Sequence, residues 1–511
     1  MFNKINNLYR VIKLQATPLK YVLPLMFLYS AVSLTGMFHH EIFLEEAQQL
    51  TIGRDSNSII DVFKNMLYEG HVTLWNSFLF FITHYISSRP IYMQLFHWLV
   101  INSTVFIFLR YAPFNLTVKT LIIFGCYFLF VYSIISRNYA LGILLLFICC
   151  ILMANPEKRM ISIGIIVVLM CFTHLFYVFA AVGIFVYLLY YVVGKKEFYW
   201  RFALFTGLFL FGAICAFIQS KRIPADATVK AAPGLSWFNV HDLAFGLKCF
   251  ARGYVTVPAV HQRYFWDIQY IQHFPGIVTL VTALLLFAAT LWFLRGSRKA
   301  LLFYIPPVAL LMAFLAMSGL AGSRYFGMFF IFFISALWLA YYDGVSMFPT
   351  VATGFIKKWA PQVFIYGILI NQLFTGIFMY CVDFKSPFSQ AKNTMGYLTA
   401  NHLDTQPLVV DGYTAGPALS AYLGKKIYYL DMDQSGSYCI WKKAYLPNPR
   451  KALMDEISSS TYANSFKEFI LISNRDNQVN NSGAYTFIKL TSFEGAVIKG
   501  EDYYVYRAVK K

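Results

Sequence analysis

The chain is built around a series of apolar segments, each close to the roughly 20 residues that an α-helix needs to cross a bilayer. About 11 of them are predicted to span a membrane, at 19–37, 92–109, 118–135, 139–155, 160–176, 177–194, 201–219, 274–294, 300–319, 325–342 and 361–382. Only 13% of the 511 residues are charged, about half the share found in soluble domains. The sequence therefore predicts a polytopic α-helical membrane protein.

The stretch 71–88 is ambiguous, because its apolar run also contains His71, Asn76 and His84. If it does not cross, all five predicted inner loops are basic, with Arg110/Lys119, Lys158/Arg159, Lys195/Lys196/Arg201, Arg295/Arg298/Lys299 and Lys357/Lys358. Cytoplasmic loops are enriched in Lys and Arg. We therefore predict that 71–88 lies at the outer surface, with the N-terminus inside and the C-terminal region outside.

The net charge of +18 comes mostly from residues between apolar segments, which orient a membrane protein. No RNA- or DNA-binding module is recognisable, so we predict no nucleic-acid partner. Most of the eight cysteines lie inside apolar segments, and none has the spacing of metal ligands or of a disulfide framework.

The region after the last apolar segment changes character. Residues 407–411, 426–430, 468–472, 485–491 and 502–508 are predicted as strands, with short helices at 415–423 and 450–459. Alternating strands and helices favour a small α/β domain. We predict a membrane domain at 1–384, with outer loops at 37–91 and 220–273, and an extracytoplasmic α/β domain at 385–511.

The first outer loop opens with a dense group of titratable residues, His39-His40-Glu41 followed by Glu45-Glu46. Acidic groups beside a membrane are costly and often functional. On one helix, Glu41 and Glu45 would share a face, while Glu45 and Glu46 would point about 100° apart. A carboxylate here could act as general base, or Glu41, Glu45 and His40 could hold a divalent cation such as Mg²⁺ or Mn²⁺. A solvated polar loop is the simpler alternative.

Basic residues predicted near the outer face could bind an anionic group, because arginine presents a planar fork that matches phosphate oxygens. The candidates are Arg137, Lys221, Arg222, Arg252 and Arg324. Arg137 and Arg324 could instead pair with a glutamate or reach the membrane interface, and His174 could be a buried core histidine. Trp75 and Tyr139 are placed where they could stack on a sugar ring.

A run of short motifs resembles the bacterial GT-C class of integral membrane glycosyltransferases. Glu45-Glu46-Ala47 starts the first outer loop, and Tyr68-Glu69-Gly70-His71 with Leu74-Trp75 resembles that family's Glu-Gly-His-Pro-x-Leu-Trp run. Further along the chain, the motifs that resemble the family are Ala112-Pro113-Phe114, Ser136-Arg137-Asn138-Tyr139-Ala140-Leu141, Thr173-His174 and Arg324-Tyr325. The similarity extends over most of 19–343. The family has Asp-Glu where this chain has Glu45-Glu46, and Val72 and Thr73 follow His71 where it has proline.

The class includes protein O-mannosyltransferases, oligosaccharyltransferases and lipid A aminoarabinose transferases. The resemblance implies transfer of a sugar from a polyprenyl-phosphate donor to a lipid, glycan or protein acceptor, on the outer face of a bacterial cytoplasmic membrane. It assigns catalysis to Glu45 and Glu46, and substrate contacts to Glu69, His71, Trp75, Tyr139, His174 and Tyr325. Binding of the donor phosphate then falls to Arg137 and Arg324 within the motifs, and to Lys221, Arg222 and Arg252 from their predicted position near the outer face.

Two alternatives remain open at this stage. A surface-polysaccharide polymerase or ligase would share the outer-face chemistry but use an oligosaccharide donor. A flippase or transporter for lipid-linked glycans would carry out no chemistry; transporters often have repeated halves and polar groups at mid-membrane, whereas the polar groups here are predicted on one face.

Overall fold

The computed structural model describes residues 16–195, 200–228, 240–260, 262–348, 355–446, 452–476 and 484–511. The first ten helices in these ranges are α1 Leu19–His39, α2 Leu44–Asp55, α3 Ile59–Asn65, α4 Leu74–Tyr85, α5 Pro90–Tyr111, α6 Leu116–Ile123, α7 Tyr139–Leu152, α8 Pro156–Cys171, α9 Leu175–Lys195 and α10 Trp200–Lys221. They are followed by α11 Val240–Arg252, α12 Gly276–Leu294, α13 Arg298–Ser318, α14 Ser323–Tyr341, α15 Phe355–Lys385, α16 Ala391–Ala400, α17 Gly416–Leu423, α18 Leu453–Ser459 and α19 Thr461–Ser465.

Eight of the described helices are long and apolar enough to cross a membrane. They are α1, α5, α9, α10, α12, α13, α14 and the Trp359–Lys385 part of α15. The prediction of a helix-rich, multi-pass membrane protein is confirmed at this level.

The other three predicted spans do not form helices of membrane length. The segments 139–155 and 160–176 form α7 and α8, with 14 and 16 residues. The segment 118–135 is interrupted, because α6 ends at Ile123 and a π-helical turn follows at Tyr127–Val131. The interruption lies against α15: a Cβ atom on Gly376 would be 2.9 Å from the Cys126 nitrogen. Eight rather than about 11 described helices therefore have the required length and composition.

The chain divides into two compact units. Unit 1 comprises 1–37, 97–218 and 232–381, and unit 2 comprises 38–96, 219–231 and 382–511. The sequence predicts a single boundary between domains, after residue 384. In the structure, the region of the first predicted outer loop instead groups with the C-terminal tail.

Unit 1 is a helical bundle in which α14 is buried along nearly its whole length. A helix that is apolar on all sides is expected at the centre of such a bundle. The α9 and α13 backbones approach each other closely, since a Cβ atom on Gly183 would overlap the Phe303 carbonyl oxygen.

Unit 2 contains a six-stranded sheet with the order β3-β2-β1-β4-β6-β5. Its strands are β1 Leu408–Asp411, β2 Ile427–Tyr429, β3 Gln434–Gly436, β4 Glu468–Ser473, β5 Tyr485–Phe493 and β6 Tyr503–Lys510. β1 pairs in parallel with β2 and β4, and the remaining pairs are antiparallel. The five predicted strands are confirmed, and α17 confirms the helix predicted at 415–423.

The sheet buries apolar side chains on both faces, with neighbouring strand residues alternating between two cores. One core contains Val410 and Ile472 from the sheet together with Ile42, Leu50 and Trp75 from the segment 38–96. Helices α2 and α4 are therefore structural parts of the α/β unit, and they fix where the acidic residues of that segment lie.

Candidate functional site

The acidic segment is organised around His40, whose ring lies between two carboxylates of unit 2. Its Nδ1 is 3.0 Å from Asp383 Oδ2, and its Nε2 is 2.9 Å from Glu46 Oε2. All three side chains are buried. Burial alone would lower the pKa of His40, but the charges of Asp383 and Glu46 and hydrogen bonds to both raise it to about 10. His40 is therefore a buried cation at neutral pH.

Glu46 is the third residue of α2 and is fully buried. Besides pairing with His40, its Oε2 accepts a hydrogen bond from the Phe43 backbone N–H at 3.4 Å. A carboxylate in the first turn of a helix also interacts favourably with the helix dipole. These contacts give Glu46 a structural role in holding the start of α2.

Glu45 and Glu41 are both half-buried. Burial raises the pKa of the Glu41 carboxyl to about 7, although the charges of Lys392 and His40 act in the opposite direction. Because α2 begins only at Leu44, Glu41 precedes the helix. The prediction that Glu41 and Glu45 share a helical face is therefore wrong, whereas the predicted separation of Glu45 from Glu46 holds, since both are helical.

The C-terminal tail binds the backbone of this segment directly. The Ile42 N–H donates to the Tyr422 hydroxyl at 2.9 Å, and the Leu44 N–H donates to Glu501 Oε1 at 2.8 Å. Glu501 Oε2 also accepts hydrogen bonds from Ser389 at 2.6 Å and Tyr503 at 2.8 Å. Burial raises the pKa of Glu501 to about 7 despite these hydrogen bonds. The start of α2 is thus fixed from the side of the tail.

Further along α2, Gln48 pairs with the backbone of Cys439, donating to its carbonyl at 2.7 Å and accepting from its N–H at 2.8 Å. Gln48 and Gln49 also donate to the two oxygens of Glu69, at 2.8 and 3.0 Å. Glu69 is 8% exposed, so its carboxylate serves here as a buried acceptor.

The remaining candidates of this segment are His71 and Trp75. His71 is half-buried. Trp75 is 1% exposed, belongs to the core and stacks on Phe96 with ring centroids 5.6 Å apart. The ring of Trp75 is thus used in packing, and its contact with a sugar stays a prediction that would require this core to open.

The described residues contain no group of three or more His, Cys, Asp or Glu side chains arranged to hold a metal ion. Both ring nitrogens of His40 are engaged by carboxylates, so His40 does not fit the role of a ligand. The hypothesis that Glu41, Glu45 and His40 bind a divalent cation gains no structural support.

In unit 1, segments distant in sequence meet where three helices begin. Asn138, just before α7, donates to the Thr173 carbonyl at 2.7 Å. Tyr139 is the first residue of α7, and its hydroxyl oxygen lies 3.4 Å from His174 Nε2. Arg137 is 8% exposed. The structure therefore brings the predicted residues Tyr139 and His174 together, and Arg137 lies two positions before Tyr139 in the chain.

The start of α14 belongs to the same group of contacts. Tyr132, whose ring centroid is 5.8 Å from that of Tyr139, donates to the Arg324 carbonyl at 2.7 Å. The Arg324 guanidinium lies over the Tyr325 ring and donates to its hydroxyl at 3.0 Å. Phe176, two residues after His174, contacts both His174 and Tyr325 edge-on. We call Arg137, Tyr139, His174, Arg324 and Tyr325 the helix-start cluster.

Arg252, the last residue of α11, is linked to the same end of α14. Its Nε donates to Gln269 at 2.8 Å, and Gln269 in turn donates to Ser323 at 3.1 Å. The guanidinium also lies 4.2 Å from the centre of the Phe326 ring. Arg252 is 7% exposed, so both Arg137 and Arg252 hold a charge in a buried environment.

The two other predicted phosphate-binding residues are placed differently. Lys221 ends α10, Arg222 follows it, and both are exposed and belong to unit 2. The five basic residues are thus divided between the two units. Unit 1 contains Arg137 and Arg324 of the helix-start cluster together with Arg252, and unit 2 contains Lys221 and Arg222.

Several residues of these sites were missed by sequence reasoning. Asp383 follows directly on the last apolar segment, which is a position where an acidic residue merits attention. Glu501, Tyr422 and Gln269 gave no comparable signal, because their roles depend on contacts with segments far away in the chain. Comparison with protein-family models finds none that matches this chain, and comparison with curated proteins likewise finds no match.

Proposed function

We propose that the protein is a membrane glycosyltransferase that moves a sugar from a polyprenyl-phosphate donor to an acceptor at the outer face of a bacterial cytoplasmic membrane. The helix-start cluster, joined by Arg252, binds the donor phosphate. Glu45 is the general base, and Glu46 is a positioning residue held by His40. The class of enzyme follows the GT-C resemblance.

The convergence of the helix-start cluster carries this proposal. Its members come from 137–139, 174 and 324–325, and contacts of Tyr132 and Phe176 with Tyr139, His174, Tyr325 and the Arg324 carbonyl link these three segments. The resemblance had selected these positions as separate motifs.

The chemistry needs cations where negative charge develops. As the acceptor hydroxyl attacks the anomeric carbon, the bond to the phosphate oxygen breaks and the lipid phosphate leaves with both bonding electrons. Fixed guanidinium groups stabilise this leaving group, and they do so more strongly in a buried environment than in water. Arg137 and Arg252 have the burial that this role requires.

The acceptor hydroxyl must lose a proton during the attack. Glu45 is better suited than Glu46 to accept it, because Glu46 is fully buried and already bound to His40 and to the Phe43 N–H. Glu45 is half-buried on the first turn of α2, so a substrate can approach it. Glu46 fixes the turn from which Glu45 extends.

The first test measures binding of a water-soluble short-chain polyprenyl phosphate to the purified full-length protein. Arg137→Lys and Arg324→Lys keep the charge but lose the planar fork, so each should weaken binding by roughly tenfold or more. Arg298→Lys, an exposed position of the same unit, is the matched control and should leave affinity unchanged. Unchanged affinity in both cluster variants would overturn the donor-site assignment.

The second test supplies reconstituted protein with synthetic polyprenyl-phosphate hexoses and pentoses and membrane-extracted acceptors, and measures release of polyprenyl phosphate. Glu45→Gln should abolish release while retaining affinity for the short-chain phosphate. Glu46→Gln should mainly lower thermal stability. Donor that crosses the bilayer with its sugar–phosphate bond intact would favour the transporter instead.

A further inference from the structure

Unit 2 has a groove between α16 and α17 with a volume of about 510 Å³. Sites for small molecules typically measure about 300–1,000 Å³. One side of the groove is formed by α16 and the residues after it, and the other by Tyr422 and Leu423 at the end of α17. None of the functions assigned above uses this groove.

The lining combines apolar and charged groups. Met395, Leu423 and the Tyr422 ring supply apolar surface, while Lys392 and Asp404 supply opposite charges. An anionic ligand would be attracted by Lys392 but repelled by Asp404, and the reverse holds for a cationic ligand, so neither sign of charge gains a large net attraction. A wholly apolar ligand would remove water from both charges without replacing its hydrogen bonds, which is costly. A neutral molecule with many hydroxyl groups can donate to Asp404 and accept from Lys392.

The groove is physically connected to the acidic segment. Tyr422, which lines it, accepts the hydrogen bond from the Ile42 N–H. Lys392, at its edge, is close enough to Glu41 for the two charges to interact. Occupation of the groove would therefore be sensed by the backbone that leads into α2 and Glu45.

We propose that this groove is a saccharide-binding site, in which sugar hydroxyls bind Lys392 and Asp404 while a ring face packs on Tyr422. We further infer that the acceptor of the transfer reaction is a glycan held here; this second step rests on the proposed function. The groove would thereby select a neutral, polyhydroxylated acceptor.

Gly396 offers a way to close the groove without disturbing the core. It lies on α16 and lines the groove, and a Cβ atom added there would meet no atom within 4 Å. The opposite face of α16 is anchored by buried residues such as Thr394 and Leu398. Gly396→Trp should therefore fill the groove while α16 stays in place. Asn393→Trp, at an exposed position of the same helix outside the groove, is the matched control.

The experiment uses the full-length protein in lipid nanodiscs, because detergents with sugar headgroups would compete. Neutral tetrasaccharides prepared from glucan, mannan and galactan, with an acidic uronic-acid tetrasaccharide for comparison, are tested by saturation-transfer NMR. We expect at least one neutral probe to give a signal that falls at least tenfold in Gly396→Trp and persists in Asn393→Trp. Lys392→Gln combined with Asp404→Asn should also reduce it.

Two results would overturn the proposal: no signal from any neutral probe, whether or not the acidic probe binds, or a signal that survives in Gly396→Trp. Affinity for the short-chain polyprenyl phosphate is measured on the same samples. If saccharide binding is lost in Gly396→Trp while phosphate binding persists, the saccharide site is supported independently. If the wild type binds saccharide but not the phosphate, the proposed donor site fails and the saccharide site stands.

Discussion

The buried cation His40 provides a sharp test of how unit 2 is held together. Replacing it with glutamine keeps a hydrogen-bonding side chain of similar length but removes the positive charge. Asp383 and Glu46 would then be left as two buried carboxylates without a counter-charge. We expect His40→Gln to destabilise unit 2 strongly at neutral pH.

The size of the effect can be worked out in two ways. Removing one partner from a buried ion pair costs about 3–5 kcal/mol. The rise in the pKa of His40 from 6.5 to about 10 corresponds to about 5 kcal/mol, at about 1.4 kcal/mol per tenfold. Because the folded pKa lies above the unfolded one, this stabilisation is complete below about pH 6.5 and is lost as the pH rises towards 10.

Cys439 offers a probe for the assay, since its thiol is buried in unit 2. With the other seven cysteines replaced, its labelling during a temperature ramp reports when this unit opens. His40→Gln should lower the midpoint by roughly 10 °C at about pH 6, and the difference from the unsubstituted protein should shrink as the pH approaches 10. His84→Gln, at an exposed position of the same unit, should change it little.

A compensating variant distinguishes the loss of the His40 charge from the loss of the packing of its ring. Adding Asp383→Asn and Glu46→Gln to His40→Gln removes the uncompensated charges and should recover part of the lost stability. A midpoint for His40→Gln within about 2 °C of the unsubstituted protein near pH 6, or a difference that stays constant up to pH 10, would refute the reasoning.

Three further variants test other contacts. Gln48→Leu leaves a buried backbone N–H and carbonyl of the tail unpaired and should cost about 1–3 kcal/mol for each group in the same thiol assay; an unchanged midpoint would contradict this. In Gly327→Val the added Cβ atom would lie 2.5 Å from the Tyr132 hydroxyl, so this variant should weaken binding of the short-chain polyprenyl phosphate. Gly367→Val should not, because no atom lies within 4 Å of its added Cβ. Equal effects of the two variants on phosphate binding would argue against the helix-start cluster as the donor site. Glu41→Gln removes a carboxyl whose pKa is raised to about 7, so it should raise stability above about pH 7 and have no effect near pH 4; equal midpoints at pH 8 would contradict the burial argument.

The sequence predicted those parts of the fold whose signal is local. Continuous apolar runs marked α9, α12 and α14, because the whole circumference of a membrane helix must be apolar. An apolar run marked β4, and alternation marked β5 and β6, since successive side chains of a strand point to opposite faces of the sheet. The interruption before the π-helical turn was missed, because the residues 118–135 are predominantly apolar and the break lies against α15, which is distant in the sequence.

The arrangement of the candidate site was less accessible. Arg137 and Arg324 were selected by motif, yet nothing local showed that the helices carrying them begin side by side. His40 and Asp383 lie 343 positions apart in the chain. A single sequence contains no pattern that links two residues so far apart. Ile42 and Trp75 are recognisable in the sequence as apolar residues. Their packing on the sheet of unit 2 joins segments that are distant in the chain, so the sequence does not show it.

The discontinuous make-up of unit 2 imposes an order on its assembly during synthesis. Of its three parts, 38–96 leaves the ribosome first, and residues 97–381, which include the second part at 219–231, must be made before 382–511 is available. At about 5–20 residues per second, this interval lasts on the order of tens of seconds. Throughout it, His40 lacks Asp383 and the Leu44 N–H lacks Glu501. A chain that stops before residue 382 would thus carry the candidate catalytic carboxylates on a segment without its core, exposed to proteases and quality control.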